Sequence, residues 1–190
     1  MTRNLLTIGK LKTIAGPMYA GKTSAILQEI LWLKHCNHNV LVIKPDIDTR
    51  YSATHIETHN RLSFPCFSMK NWDHVIDNYT LMPYNYHTVV LDEIQFMEQN
   101  ATIDNVNTML SNGVNVIAAG LDQDSRGRPF ETTALLLALS DDISKIRSIC
   151  TVCGRTATKT QRNDETLDER VLVGSVGMYE PRCLDHWIPK

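Results

Sequence analysis

Three groups of residues in this chain have the types and spacing for chemistry. The first is Gly16-Pro17-Met18-Tyr19-Ala20-Gly21-Lys22-Thr23, which matches the pattern G-x-x-x-x-G-K-[ST] in full. Glycines in that pattern let the backbone turn so that successive N–H groups face phosphate oxygens, and the start of the following helix adds positive charge. Lys22 is expected to reach the β- and γ-phosphates, and the Thr23 hydroxyl to ligate Mg²⁺. The second group is Asp92-Glu93, which closes the apolar run Val89-Val90-Leu91. Asp92 is the expected Mg²⁺ partner, directly or through water, and Glu93 stands where a proton acceptor is needed. Spacing alone does not decide whether that proton comes from water, as in an ATPase, or from an alcohol, as in a kinase. The third group pairs Cys150-x-x-Cys153 with Cys183-x-x-His186. Three sulfurs and one imidazole form a closed tetrahedral set, which suits structural Zn²⁺ and leaves no position open for catalysis.

Each group needs an element to hold it. Residues 11–15 are short, apolar and partly β-branched, and they run straight into the glycine loop, so they read as a buried strand. From Thr23 to about Cys36 the apolar residues Ile26, Ile30 and Leu33 recur with helical period. Further strands are predicted at 40–43, 88–91, 114–119 and 144–149, with helices over much of 100–111 and around 131–139. The helix at 100–111 should stop at Asn112-Gly113, where glycine suits a left-handed cap. Uniformly apolar strands alternating with helices predict an α/β fold: a parallel sheet covered on both faces, of the P-loop NTPase-like kind. The texture changes near residue 149. The remaining sequence is too polar for a second full core, so residues 1–149 are read as the nucleotide-binding domain and 150–190 as a small zinc-stapled subdomain.

The composition is that of an ordinary soluble domain, with 43% hydrophobic residues and a formal net charge of −2. No global basic field favours nucleic acid or an anionic membrane. The first residues carry no apolar stretch of signal-peptide length, and a cytoplasmic location is expected. Cys36 and Cys66, outside the paired spacings, are expected to be buried thiols with no chemical role.

The residues around these groups are more specific than the groups themselves. Gly16-Pro17-Met18-Tyr19, Asp48-Thr49-Arg50-Tyr51, Asp92-Glu93-Ile94-Gln95-Phe96, Gly120-Leu121-Asp122, Arg126-Gly127-x-Pro129-Phe130, Thr160-Gln161-Arg162 and Tyr179-Glu180-Pro181-Arg182-Cys183 follow one another in order. As an ordered set they resemble the thymidine kinase family found in cells, poxviruses, bacteria and phages, over nearly the whole chain. The resemblance implies transfer of the ATP γ-phosphate to the 5′-hydroxyl of thymidine, with Glu93 as catalytic base and Arg50 stabilising phosphate charge. It places Met18, Gln95, Phe96, Leu121, Phe130, Arg162 and Tyr179 at the nucleoside, with Thr160 near the thymine methyl. The segment Val173-Gly174-Ser175-Val176-Gly177 corresponds to a loop that closes over the base, clamped at its root by the zinc ligands. The same resemblance implies a homotetramer and feedback inhibition by thymidine triphosphate.

The chain also departs from the family pattern. Ser125 stands where an aromatic residue is usual, Gly177 where an acidic or amide side chain is common, and His59-Asn60-Arg61 differs slightly. These departures bear on base choice, leaving deoxyuridine or a 5-modified pyrimidine nucleoside as further acceptors. Two other functions share the same motifs. One is a nucleic-acid-stimulated ATPase with a zinc knuckle, which the acidic net charge disfavours. The other is a pyrimidine nucleoside monophosphate kinase, for which Arg126, Arg128 and Arg162 would have to meet the acceptor phosphate.

Overall fold

The computed structural model describes residues 8–47, 54–58, 62–77, 85–163 and 177–189. Arg50 and its neighbours 48, 49 and 51, residues 59–61, and Val173, Gly174, Ser175 and Val176 lie outside the described residues. In chain order the first half contains β1 (Leu11–Gly16), α1 (Lys22–His35), β2 (Val40–Pro45), β3 (His55–Glu57), β4 (Ser63–Pro65), β5 (Phe67–Met69), α2 (Trp72–Ile76) and β6 (Thr88–Leu91). The second half continues with α3 (Gln99–Ser111), β7 (Asn115–Leu121), α4 (Glu131–Leu139), β8 (Asp142–Lys145), β9 (Ser148–Ile149), β10 (Thr156–Ala157), β11 (Lys159–Arg162) and β12 (Tyr179–Arg182).

Six of these strands form one parallel sheet in the order β5-β2-β6-β7-β1-β8. All four residues of β6 are buried, as are all but Lys12 in β1, which is the burial that an unbroken apolar strand predicts. Alternate side chains serve opposite faces. Leu41, Ile43, Val89, Leu91, Val116 and Ala118 pack with Trp72, Val106, Met109 and Leu136 from α2, α3 and α4. Val42, Val90, Ile117 and Ala119 pack with Ile26, Leu27 and Ile30 of α1, and Ile56 of the β3–β4 hairpin extends that layer. Lys12 escapes burial by pairing with Glu29 of α1 at 2.7 Å and with Asp142 at 3.3 Å. The Glu29 hydrogen bond, with help from Asp142, raises its pKa and keeps the ammonium charged.

The ends of the helices follow from local chemistry. At the start of α3 the Glu98 carboxylate accepts the N–H groups of Asn100 and Ala101, and its end is set by Gly113 at φ 80°. Asn37, at φ 57°, turns the chain out of α1. Cys36 caps that helix on its solvent side and is exposed, and Cys66 is half-buried, so neither is the fully buried thiol expected from sequence. The strand predicted at 144–149 is two strands. Ile146 N–H still bonds to the Ala15 carbonyl, but the chain then leaves the sheet, and β9 pairs antiparallel with β10 in the C-terminal unit. That unit is small, with Cys150, Ala157 and Cys183 as its buried cluster, and β11 pairs with β12 beside it. No helix among the described residues is long and apolar enough to cross a membrane.

The α1 layer gives a direct stability test. Ile30 is fully buried whereas Gln28, on the same helix, is exposed. Ile30→Ala should lower the unfolding free energy by about 2–5 kcal/mol in urea titrations, and Gln28→Ala by less than about 0.5 kcal/mol.

Candidate active site and metal centre

Parallel pairing brings the reactive residues to one edge of the sheet. Register aligns Gly16 with Leu121 and Ile43 with Leu91, so the carboxyl ends of β1, β2, β6 and β7 lie side by side. Polar chemistry in an open α/β sheet belongs at that edge, because the next residue of each chain is the first that is not compelled to be apolar. The loop from Gly16 to Thr23 leaves β1 there and enters α1. Gly21 takes a left-handed φ of 84°, and a Cβ added to it would meet nothing within 4 Å, so conformation rather than space calls for glycine. Tyr19 also has a positive φ, 60°, and is half exposed. The Lys22 ammonium is buried and donates to the carbonyls of Pro17 at 2.8 Å and Gly16 at 3.2 Å, which holds it inside the loop. Thr23 begins the helix beside it, half-buried.

Beyond β6 the backbone makes an uncommon turn. Asp92 is buried, its N–H bonds to the Ile43 carbonyl of the next strand, and its own Oδ1 accepts the Glu93 N–H at 3.0 Å. Glu93, also buried, sits at φ 55°, ψ 43°. A side chain in that left-handed region costs about 1–2 kcal/mol, and such strain collects where a site needs one particular direction. A single 3₁₀ turn over Ile94–Phe96 follows. Gln95 in that turn donates from Nε2 to the Glu93 carboxylate and accepts the Leu121 N–H on Oε1 at 2.9 Å.

The residues expected to line a nucleoside lie on four segments: the 16–23 loop, the turn after β6, the stretch from the end of β7 to α4, and the β11–β12 pair. Phe130 and Tyr179 are buried, while Met18, Phe96 and Leu121 are half-buried. Thr160 and Arg162 on β11 are buried, and the Thr160 hydroxyl accepts the Met18 N–H at 3.1 Å, tying the phosphate loop to the C-terminal hairpin. Ser148 adds a second tie, donating to the Tyr19 carbonyl at 3.0 Å. At the far end of that hairpin the Asn163 N–H bonds to the Met178 carbonyl, and its Nδ2 donates to the Gly177 carbonyl at 3.0 Å. Gly177 itself stands at φ 97°.

Several supporting residues carry no motif in the sequence. Asp124 organises the turn after β7, accepting the N–H groups of Arg126 and Arg128, each at 2.9 Å. Trp187 closes over the same turn: its indole N–H donates to the Ser125 carbonyl at 3.1 Å, and its ring lies so near Gly127 that a Cβ there would approach to 2.8 Å. Lys159 stands 4.7 Å from the centre of that ring and donates to Gln123 at 2.6 Å. The only hint in the sequence was that Trp187 follows a metal-ligand pattern directly.

Cys150, Cys153, Cys183 and His186 converge as their spacing predicts, with one donor atom from each lying within 4.8 Å of the others. Bonds of about 2.3 Å to sulfur and 2.0–2.1 Å to nitrogen in a tetrahedron require separations near 3.8 Å between sulfurs and about 3.6 Å from sulfur to nitrogen. The separations here are 3.7 Å for Cys153–Cys183, and 3.9 and 3.2 Å from His186 Nδ1 to Cys150 and Cys183. The donor set therefore fits a zinc ion. Burial acts to raise the Cys150 thiol, but backbone N–H groups of Cys183, Val152 and Cys153 outweigh it and bring it down to about 6. Burial and the neighbouring sulfurs of Cys153 and Cys150 push Cys183 upward, a repulsion that a dication would remove. Arg155 closes the outer side, donating to the sulfur of Cys153 at 3.4 Å and to Asp185 at 2.6 Å.

Freshly purified protein should contain zinc in stoichiometric amount by elemental analysis. Cys153→Ser should retain much less of it and weaken nucleoside binding more than nucleotide binding, because the exposed Cys153 anchors the root of the C-terminal hairpin.

A family model described as thymidine kinase matches residues 9–187. A thymidine kinase of Pyrobaculum aerophilum is 37% identical over 183 residues, spanning 94% of this chain and 98% of that protein. One from Mycoplasma genitalium is 38% identical over 184 residues, spanning 94% of this chain and 83% of that protein. One from Mesomycoplasma hyopneumoniae is 34% identical over 176 residues, spanning 92% and 93% respectively.

Proposed function

The chain belongs to the thymidine kinase family, and from that premise we propose that it transfers the γ-phosphate of ATP to the 5′-hydroxyl of thymidine, giving thymidylate and ADP. The observation that carries this reading is the meeting, at one sheet edge, of the 16–23 loop with the buried Asp92-Glu93 pair. The loop N–H groups and Lys22 bind the phosphates. Thr23 and Asp92 are an oxygen donor pair of the kind that holds Mg²⁺. Bound there with ATP, that ion would offset charge on the phosphate oxygens.

Glu93 accepts the proton of the 5′-hydroxyl as its oxygen bonds to the γ-phosphorus. The bond from that phosphorus to the bridging oxygen breaks, and ADP leaves with the electron pair. Phosphoryl transfer of this kind depends on placement and charge neutralisation more than on reactive side chains. Burial of Glu93 favours an alcohol over bulk water as proton donor, which supports a kinase over an ATPase.

The base lies between Met18, Phe96, Leu121, Phe130 and Tyr179, near Thr160 and Arg162, with residues 173–177 closing over it and Arg50 reaching the phosphates. Ser125 turns its carbonyl to Trp187 and adds no ring beside the base, which supports acceptance of deoxyuridine and 5-modified analogues as well. Zn²⁺ at the four-residue cluster is structural. The family further supports a cytoplasmic homotetramer inhibited by thymidine triphosphate, and the adjacent exposed side chains Leu31 and Trp32 on α1 offer apolar surface for subunit contact.

Acceptor choice tests the reading. With ATP in excess, thymidine and deoxyuridine should be phosphorylated, and deoxycytidine and thymidylate should not. DNA or RNA should leave ATP turnover unchanged. Glu93→Gln should still bind ATP while phosphoryl transfer falls by about 10²–10⁴-fold. Near-normal turnover in that variant would remove Glu93 as the base.

A further inference from the structure

We infer that Gln95 is a positioning residue for phosphoryl transfer, fixing the Glu93 carboxylate against the backbone of Leu121 through the two ends of one amide. The inference rests on the reading of Glu93 as base given above. Glu93 leaves β6 in a left-handed conformation, so its backbone alone does not set the direction of its carboxylate. Two residues on, the carboxamide of Gln95 donates from Nε2 to Glu93 Oε2, while its Oε1 accepts the Leu121 N–H at 2.9 Å. An amide is planar, so its side chain cannot turn about its last bond without losing both contacts.

Gly120 supplies an independent observation. A Cβ on that residue would stand 2.5 Å from Gln95 Oε1 and 2.6 Å from the Ile94 side chain. The carboxamide therefore occupies space that any other residue at 120 would claim, one residue before the end of β7. Leu121 belongs to the wall against which the acceptor nucleoside rests in the proposed function. One rigid group thus sets the distance between base and wall, and so between the base and the hydroxyl that it must reach. A displacement of about 1 Å in such a register costs up to about 100-fold in rate.

The test is a mutant cycle read in single-turnover phosphorylation of thymidine at saturating ATP. Gln95→Met fills the space but loses both hydrogen bonds. Gln95→Glu keeps an acceptor for the Leu121 N–H but replaces the donor to Glu93 with a second carboxylate, which repels it. Each should lower the phosphoryl-transfer rate by about 10–100-fold while thymidine KM changes by less than about 3-fold. In a Glu93→Gln background the same changes should cost less than about 3-fold further, because the group being positioned is already gone.

A rise in KM with the rate preserved would make Gln95 a nucleoside contact and overturn the inference. Equal losses in both backgrounds would make it a structural residue, with the same consequence. If Gln95→Met fails to fold, Gln95→Glu carries the comparison, and a normal rate in that variant also overturns it. Near-normal turnover by Glu93→Gln alone would instead remove the base assignment beneath the inference.

Discussion

Burial on both faces of the sheet is the constraint from which the rest of the structure follows. Strands β1, β6 and β7 are covered by α1 on one side and by α3 and α4 on the other, so along their length almost nothing polar is tolerated. Charged chemistry is compelled to begin where each strand ends. Asp92, Glu93 and Asp122 lie just past such an end, Lys22 lies where the loop leaving β1 enters α1, and all four are buried. They are therefore held in a medium where each charge needs a named partner. Lys22 meets the carbonyls of its own loop, Asp92 the Glu93 N–H, and Asp122 the Lys145 ammonium at 3.2 Å. Such partners hold the groups in place before any substrate arrives, which is what a reaction governed by placement requires.

Cross-links between segments distant in sequence then tie this edge to its surroundings. Met18 to Thr160 spans the phosphate loop and β11, Gln95 to Leu121 spans the turn after β6 and the end of β7, and Trp187 to Ser125 spans the C-terminal segment and the turn after β7. None of these is a salt bridge between exposed side chains, which contributes little and is screened. All are hydrogen bonds in which a backbone group is one partner, so each fixes main chain as well as a side chain. Backbone segments drawn together at one edge keep their spacing only under that condition.

The parts legible in the sequence were those with a short-range signature. The 16–23 loop, the apolar strands and the paired cysteine spacings each encode their geometry within a few residues, and the structure has them where the pattern put them. The β3–β4 hairpin, β5 and α2 were not foreseen. Each is three to five residues long, with mixed polarity, and is held by contacts such as Ile56 against the α1 layer rather than by its own period. The strand read at 144–149 failed for a related reason. Its sequence, Ser144-Lys145-Ile146-Arg147-Ser148-Ile149, carries no glycine or proline to mark a break, and only the competition between the sheet edge at β1 and the β10 strand divides it into β8 and β9.

Ser125 shows how far a local reading of the site extends. Judged against the family pattern, the missing aromatic ring is a gap in packing beside the base. The folded chain brings a ring to the same turn from 62 positions away: Trp187 lies against Gly127 and takes the Ser125 carbonyl as acceptor. That ring is in place because His186, the residue before it, is held in the cysteine cluster, and because Lys159 of β11 rests on its face. The four clustered ligands therefore connect to the rest of the chain by two routes. One runs from Cys183 along β12 to Tyr179, and the other from His186 through Trp187 to the turn after β7. A closed donor set of this kind can thus order chain outside itself, by fixing two backbone segments, β12 and the turn after β7.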